Sequence, residues 1–300
     1  MTAAGSAVRV RVPASSANVG PGFDTLGLAL QLYDEVTVEV TDAGLDIDVV
    51  GAGAAEVPRD ESHLVVRALR TVAERLGGQP PGIRLRARNA IPQGRGLGSS
   101  AAAVVAGMLA ARALHPGGAG LLPDGELLAL AAVLEGHPDN VAACLLGGLT
   151  IAWTEDGAPR AVRLEPHRDV SVTLLVPPEA LSTQAARGLL PDHVPHTDAA
   201  RNAGRAALLV HALTADPSLL LSSTRDWLHQ PYREAAMPET AALVARLRAR
   251  GIPAVVSGAG PAVTAFADAD LRADVPSGWS VQRLAVDLGG AVLTPLPARP

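Results

Sequence analysis

The sequence predicts an α+β fold built as two sub-domains with a cleft between them. Three observations carry this prediction. Runs in which valine alternates with arginine have the period of half-buried strands. Amphipathic helical stretches fall irregularly among those strands, which suits a mixed sheet with helices on one side. A turn at Glu155–Pro159 divides the chain, giving one unit over residues 1–160 and a second over 161–300.

Val8, Val10 and Val12 alternate with Arg9 and Arg11 in a first strand expected to end at Pro13. A tight loop rich in small residues follows, with Leu26–Leu30 entering the core. Val36, Val38 and Val40 form a second alternating strand, and Leu45–Val50 is expected to pair with it across a short turn. Ser62 is positioned to cap a helix through Leu76, which Gly77 and Gly78 end. Ile83, Leu85 and Ala87 alternate with Arg84, Arg86 and Arg88, and these arginines suit a solvated strand face. An apolar helix follows residue 98, and Asp124 is placed to cap a further helix through Glu135. Asp139–Leu146 is a short helix and Leu149–Trp153 a strand. In the second half, Val170–Val176, Ile252–Ser257, Ala262–Phe266, Ser280–Asp287 and Ala291–Thr294 suit strands. Ser182–Leu190, Asp198–Leu213 and Pro238–Arg250 suit helices, and Asp268–Ser277 has no clear assignment.

Composition narrows the function. A 300-residue chain with 48% hydrophobic residues can bury a sizeable core. A net charge of −5 and 2% aromatic content offer neither a polyanion footprint nor base-stacking platforms, so no nucleic-acid partner is expected. The single cysteine, Cys144, cannot form an internal disulfide and suits a reducing compartment. It is read as a small buried filler. The N-terminus lacks a charged region followed by an apolar one, and Ala101–Leu114 is too short to span a bilayer. The expectation is a cytoplasmic protein with no membrane partner, and a homodimer is open to it.

Chemistry concentrates in Ile91–Ala103, IPQGRGLGSSAAA. Gly94, Gly96 and Gly98 let backbone N–H groups crowd an anion, and the following helix aims its positive end at the same spot. A glycine-rich turn before a buried helix is the plainer alternative. The chain contains no lysine, which excludes a Walker loop, a protein-kinase strand lysine and any Schiff base. The glycine spacing and the lack of an acidic residue about 20 positions on argue against a dinucleotide fold.

The run P-x-x-x-G-L-G-S-S-A-A, Pro92 to Ala102, resembles the ATP loop of the GHMP kinases. PASSANVGPGFD, Pro13–Asp24, resembles the first motif of that superfamily in its homoserine kinase version. Ser257-Gly258-Ala259-Gly260-Pro261 resembles the superfamily's C-terminal glycine loop, and His137, Asp139 and Asn140 match its H-x-D-N run. The resemblance extends from Val8 to about Phe266, with alanine at Ala143 where many relatives carry proline.

This resemblance implies a ribosomal-protein-S5-like N-terminal domain, a ferredoxin-like C-terminal domain and an active site between them. It implies that Pro92, Gln93, Gly94, Arg95, Gly96, Leu97, Gly98, Ser99, Ser100, Ala101 and Ala102 hold ATP. It implies Mg²⁺ on Glu135 with Ser99 or Ser100, and a glycine loop of Ser257, Gly258 and Gly260 reaching across the cleft. Asn18, Asp24 and Asp139 would hold a substrate ammonium beside His137, and Arg187 and Arg233 its carboxylate. Asn140, Asp139 and Glu135 would be the catalytic set, with Asn140 orienting the hydroxyl. The implied reaction is ATP-dependent phosphorylation of L-homoserine to O-phospho-L-homoserine, in threonine synthesis. A loose transition state needs little early deprotonation, so no essential general base is expected. The rivals are another small-molecule kinase of the superfamily and a non-catalytic sensor.

Overall fold

The computed structural model describes residues 4–297, which fold around two sheets. The chain begins with β1 (Ala7–Ala17), β2 (Leu26–Thr41), β3 (Gly44–Gly51), α1 (Leu64–Arg75), β4 (Gly82–Asn89) and α2 (Ser99–Ala113). It continues through α3 (Gly118–Leu121), α4 (Asp124–Glu135), α5 (Asp139–Leu146), β5 (Leu149–Glu155) and β6 (Ala158–Leu164). Next come β7 (Val172–Val176), α6 (Thr183–Arg187), α7 (His196–Thr214), α8 (Leu220–Ser223), α9 (Gln230–Arg233) and α10 (Pro238–Ala249). The last elements are β8 (Ala254–Val256), β9 (Val263–Ala265), β10 (Ser280–Leu284) and β11 (Val292–Leu296).

The first sheet runs β11-β1-β2-β4-β3, with β5 on the opening residues of β2 and β6 outside β5. The second is antiparallel, in the order β10-β7-β9-β8. β6 carries the first sheet to Leu164, and β11 returns to it beside β1 after the whole second sheet has been made. Among the described residues no helix is long and apolar enough to cross a membrane.

Two strand expectations change. β1 does not stop at Pro13 but continues to Ala17, with a register shift between Pro13 and Ala14. The irregularity absorbs a residue that cannot donate to the ladder. Ser15 and Ser16 are therefore strand residues, held rigidly beneath the glycine loop. β3 does not pair with β2; β4 lies between them, antiparallel to β2 and parallel to β3. Charge explains the order. Adjacent β2 and β3 would set Glu39 near Asp46, and like charges across a strand pair are unfavourable. With β4 interposed, Arg84 bonds both Glu39 and Asp46 at 3.2 Å, and Arg86 bonds Asp46 at 2.9 Å. The arginine face is solvated, as its alternation suggests, so these pairs select register more than they add stability.

The expected caps also differ. His63 and Pro123 precede α1 and α4, and neither helix has a side-chain cap. Asp60 takes the N–H and hydroxyl of Ser62, while Asp124 accepts from Arg112. Asp268–Ser277 forms turns and no helix.

α2 is the axle of the first unit. It is apolar all round and buried over most of its length, as a helix enclosed on every side must be. α1 packs on it through Val65, Val66, Ala68, Leu69 and Val72, the one-face spacing of an amphipathic helix. Gly107 allows the approach, since a Cβ there would lie 2.2 Å from the Val65 carbonyl oxygen. Gly107→Ala gains about 1 kcal/mol of helix propensity. Forced against backbone it also incurs overpacking of about 1–3 kcal/mol. Net destabilisation of about 1 kcal/mol is expected, read as a lower urea midpoint with an unchanged slope.

Candidate active site

The glycine loop ends β4's excursion and opens α2. Gly98 takes a left-handed φ of 69° immediately before Ser99, and no side chain caps the helix. The first N–H groups of α2 are thus left for a ligand. Gly96, at φ 75°, sits so close to the second glycine loop that a Cβ would lie 2.1 Å from the Ser257 carbonyl oxygen. Ser257 closes the seam by donating its hydroxyl to the Gly96 carbonyl at 2.8 Å. With that proton used, Ser257 Oγ accepts the Ser16 hydroxyl at 2.9 Å, and Ser16 Oγ lies 2.9 Å from Thr264 Oγ1. Buried hydroxyls thus lock the two loops together from opposite units.

The first motif is held from both sides. Asn18 Nδ2 donates to the Gly258 carbonyl at 2.8 Å, and Asn18 Oδ1 accepts the Asp24 N–H at 2.9 Å. Asn18, Val19 and Asp24 all have positive φ. For the β-branched Val19 this is a strained conformation, costing about 1–3 kcal/mol, that the surroundings enforce. Asn202, on α7, anchors the segment by donating to the Pro21 carbonyl at 2.8 Å. Arg205, on the same helix, makes no hydrogen bond or ion pair among the described residues.

A cleft of about 90 Å³ brings Asn18, Asp24, Glu135, His137, Asp139, Asn140, Arg187 and Arg233 together with Gly94, Gly96–Ser100 and Gly258. Ser100 donates to Glu135 at 2.7 Å. Burial raises the Glu135 pKa, with the Ser100 hydrogen bond and His137 opposing. His137 Nδ1 lies 2.9 Å from Asp139 Oδ1, which also accepts the Asn140 N–H at 2.8 Å. Burial alone would lower the His137 pKa, but the Asp139 hydrogen bond and the charges of Asp139 and Glu135 raise it. Asn140 Oδ1 in turn accepts the Ser15 hydroxyl at 2.8 Å.

The two arginines differ. Arg187 forks onto Asp24 with contacts of 3.0 and 2.6 Å, so the side chains expected at opposite ends of a substrate here hold each other. Arg233 is 1% exposed and has no carboxylate partner among the described residues. Its Nε donates to the Ala186 carbonyl at 3.1 Å and its Nη1 to His229 Nδ1 at 3.0 Å. His229 must therefore be neutral and protonated on Nε2, which donates to the Gly20 carbonyl at 2.8 Å. Burial and the neighbouring Arg187 both push the Arg233 pKa down, as befits a buried cation without a counter-ion. Phe23 lies between the two guanidiniums, 5.7 Å from Arg187 and 5.6 Å from Arg233, and stacks on His229.

Some predicted residues lie outside this cleft. Arg95 turns away, bonding the Gln93 and Pro178 carbonyls, and Pro92 and Gln93 line a separate outer cavity with it. Ala101 is buried in the core, and Ser257 and Gly260 support the loop seam from behind. Cys144 is fully buried, its thiol pushed well up by burial.

A second cavity, about 320 Å³, adjoins the loop and shares Gly94, Ser99 and Ser100 with the cleft. Asp34, Val57, Pro58, His63 and Asn89 help line it together with Gln93 and Ala102. Sequence periodicity gives no signal for most of these, nor for Phe23 and His229, because only tertiary packing assembles them. Asp34 Oδ1 accepts the N–H groups of Ala90 at 2.7 Å and Ile91 at 2.9 Å, fixing the chain where it enters the loop. Burial outweighs those bonds and lifts the carboxyl to about 6. The folded protein then binds this proton more tightly than the unfolded chain, so Asp34 favours folding at low pH and that contribution is lost as pH rises through about 6. Asp34→Asn keeps the accepting oxygen and sheds the charge. It is expected to stabilise by about 1–3 kcal/mol at pH 8 and by little at pH 4, measured by urea unfolding at both pH values.

The family models for the GHMP kinases N terminal domain and the GHMP kinases C terminal domain match residues 63–148 and 205–280. A homoserine kinase of Streptomyces coelicolor is 59% identical over 295 residues, covering 97% of this chain and 96% of the relative. The chain belongs to the homoserine kinase family of GHMP kinases. A second homoserine kinase, from Streptomyces avermitilis, is 60% identical over 297 residues, covering 98% of this chain and 97% of its own. The crystal structure of homoserine kinase from Cytophaga hutchinsonii superposes with a TM-score of 0.81 at 28% identity, covering 96% of this chain and 97% of that one. The two sheets and the cleft between them are the two-domain fold of this family, whose kinases use ATP.

Proposed function

We propose that the protein transfers the γ-phosphoryl group of ATP to the side-chain hydroxyl of L-homoserine, giving O-phospho-L-homoserine, a step of threonine synthesis. The observation that carries the substrate is Arg233, a buried guanidinium without a carboxylate partner, facing a cleft that ends at a phosphate loop. A substrate carboxylate completes it. The Arg187–Asp24 pair then exchanges partners with the zwitterion, Arg187 taking carboxylate and Asp24, with Asn18 and Asp139, taking ammonium. Asn140, steadied by Ser15, orients the hydroxyl toward the loop.

The ATP phosphates lie on Gly94–Ala102 and the α2 N-terminus, and the adjoining 320 Å³ cavity takes the nucleoside. Glu135 and Ser100, already 2.7 Å apart, offer the hard oxygens that Mg²⁺ prefers, with Ser99 adjacent and phosphates to complete the shell. A cation there would offset the cost of the buried Glu135 carboxylate. Mg²⁺ supplies charge neutralisation of the β- and γ-phosphates. In this reading residues 1–160 carry the nucleotide side and 161–300 the arginine side, except that the end of β6 and all of β11 belong to the first sheet. On the same reading the enzyme is cytoplasmic and has no nucleic-acid or membrane partner, and a homodimer is open to it, which light scattering tests.

Asp139 faces His137 and the Asn140 backbone and serves to position groups rather than to remove a proton. Asp139→Asn is expected to raise KM for homoserine about tenfold or more with a smaller loss of kcat. Abolished turnover at unchanged homoserine affinity would instead make it the base. The decisive assay is ADP release with Mg-ATP and L-homoserine, beside L-serine, L-threonine and mevalonate. Stimulation by homoserine alone supports the proposal. ATP binding without turnover on any alcohol points to a sensor.

A further inference from the structure

Behind α9, on the side away from the cleft, lies a cavity of about 330 Å³. That volume suits a small molecule. Its walls are mixed, and Trp227, Met237, Val244 and Val256 form the apolar part. Two guanidiniums enter it, Arg225 and Arg248. Arg248 is half-buried and donates to Thr224 Oγ1 at 2.8 Å and to the carbonyls of Leu221 at 2.7 Å and Ala254 at 3.2 Å. None of these partners is charged. Arg225 makes no hydrogen bond or ion pair among the described residues. Burial first, and then the charge of Arg225, lower the Arg248 pKa, with no carboxylate opposing. The lining acids do not answer this charge. The Asp226 side chain is fully buried, its carboxylate accepting the N–H groups of Leu228, His229 and Gln230. Glu234 is exposed and bonds neither arginine.

We propose that this cavity is a second ligand site, which binds a small organic monocarboxylate with an apolar body. A carboxylate matches the guanidinium fork. The apolar part of the wall takes the remainder of the ligand, and Glu234 disfavours a polyanion. The site is coupled to the cleft through two shared parts. Gln230 and Glu234 flank the cleft arginine Arg233, and Gln230 Oε1 accepts the Val256 N–H, one residue before the Ser257 that seals the phosphate loop. An occupant pressed on this wall therefore bears on the groups that hold substrate. The site itself does not rest on the reaction proposed above.

The test uses isovalerate as probe and isovaleramide as its uncharged counterpart. In the full chain carrying Trp153→Phe and Trp279→Phe, Trp227 is the sole tryptophan and reports the cavity. Isovalerate is expected to give a saturable change in its fluorescence, with no saturable change from the amide. Arg225→Gln, a partnerless side chain whose loss spares the fold, should weaken binding at least tenfold, and Arg248→Gln likewise where it folds. Arg187→Gln and saturating L-homoserine should leave isovalerate binding intact, which separates this site from the cleft. Equal binding of the amide, no effect of Arg225→Gln, or displacement by homoserine overturns the proposal. Tighter binding of inorganic phosphate than of isovalerate overturns the carboxylate assignment.

Discussion

Arg233→Gln is expected to lower kcat/KM for homoserine about a thousandfold while ATP affinity stays within about twofold. Arg233 is 1% exposed, so a carboxylate bound to it is shielded from water and unscreened by salt. Truncating one partner of a buried, hydrogen-bonded charge pair costs about 2–5 kcal/mol, and 4 kcal/mol is close to a thousandfold. Glutamine keeps a donor for the Ala186 carbonyl or for His229 Nδ1 but not for both. Arg187→Gln should cost less, about tenfold to a hundredfold. Its side chain is 38% exposed, and its loss also frees Asp24 to bind ammonium. Steady-state kinetics with each substrate varied, together with nucleotide titration, check both numbers. A loss of ATP affinity equal to the loss in kcat/KM would show that Arg233 holds the fold rather than the substrate.

Gly96→Ala should damage the other half of the site. The left-handed backbone costs an L-residue about 1–2 kcal/mol. The added methyl also meets the Ser257 carbonyl at 2.1 Å, where backbone on both sides resists movement. Overpacking of this kind adds about 1–3 kcal/mol, for a total of about 2–5 kcal/mol. The strain is relieved only by parting the two glycine loops, which breaks the Ser257–Gly96 bond and misplaces the phosphate cradle. Turnover is expected to fall at least a hundredfold, with KM for ATP raised and homoserine binding less affected. A fully active Gly96→Ala with an unchanged melting curve would mean that the seam is loose.

The parts of the site legible in the sequence are those that local chain chemistry dictates. The glycine loop, the separate helices ending at Glu135 and starting at Asp139, and the alternating strands each follow from neighbours a few residues apart. The strand order was not legible from periodicity, because nothing in β3 says which strand lies beside it. Its acids and those of β2, set against the arginines of β4, held that information as a charge pattern. Arg187 and Arg233 stood out by resemblance alone. That one would be paired with Asp24 and the other left without a carboxylate depends on how the two units meet. Phe23, His229 and the nucleoside-side cavity are likewise products of long-range packing.

The pairing of β11 with β1 sets Leu296 opposite Ala7, so the last described strand residue completes the edge begun by the first. The unit that bears Arg187 and Arg233 is therefore an insertion, stitched into the first sheet at both ends rather than hung from one linker. Two stitches restrict how far the arginine side can swing from the phosphate side, and they tie cleft width to the integrity of that edge. During synthesis the edge of β1 stays open until β11 has left the ribosome. A chain stopped short of β11 would carry every residue of the site and still present an unpaired strand as a template for aggregation.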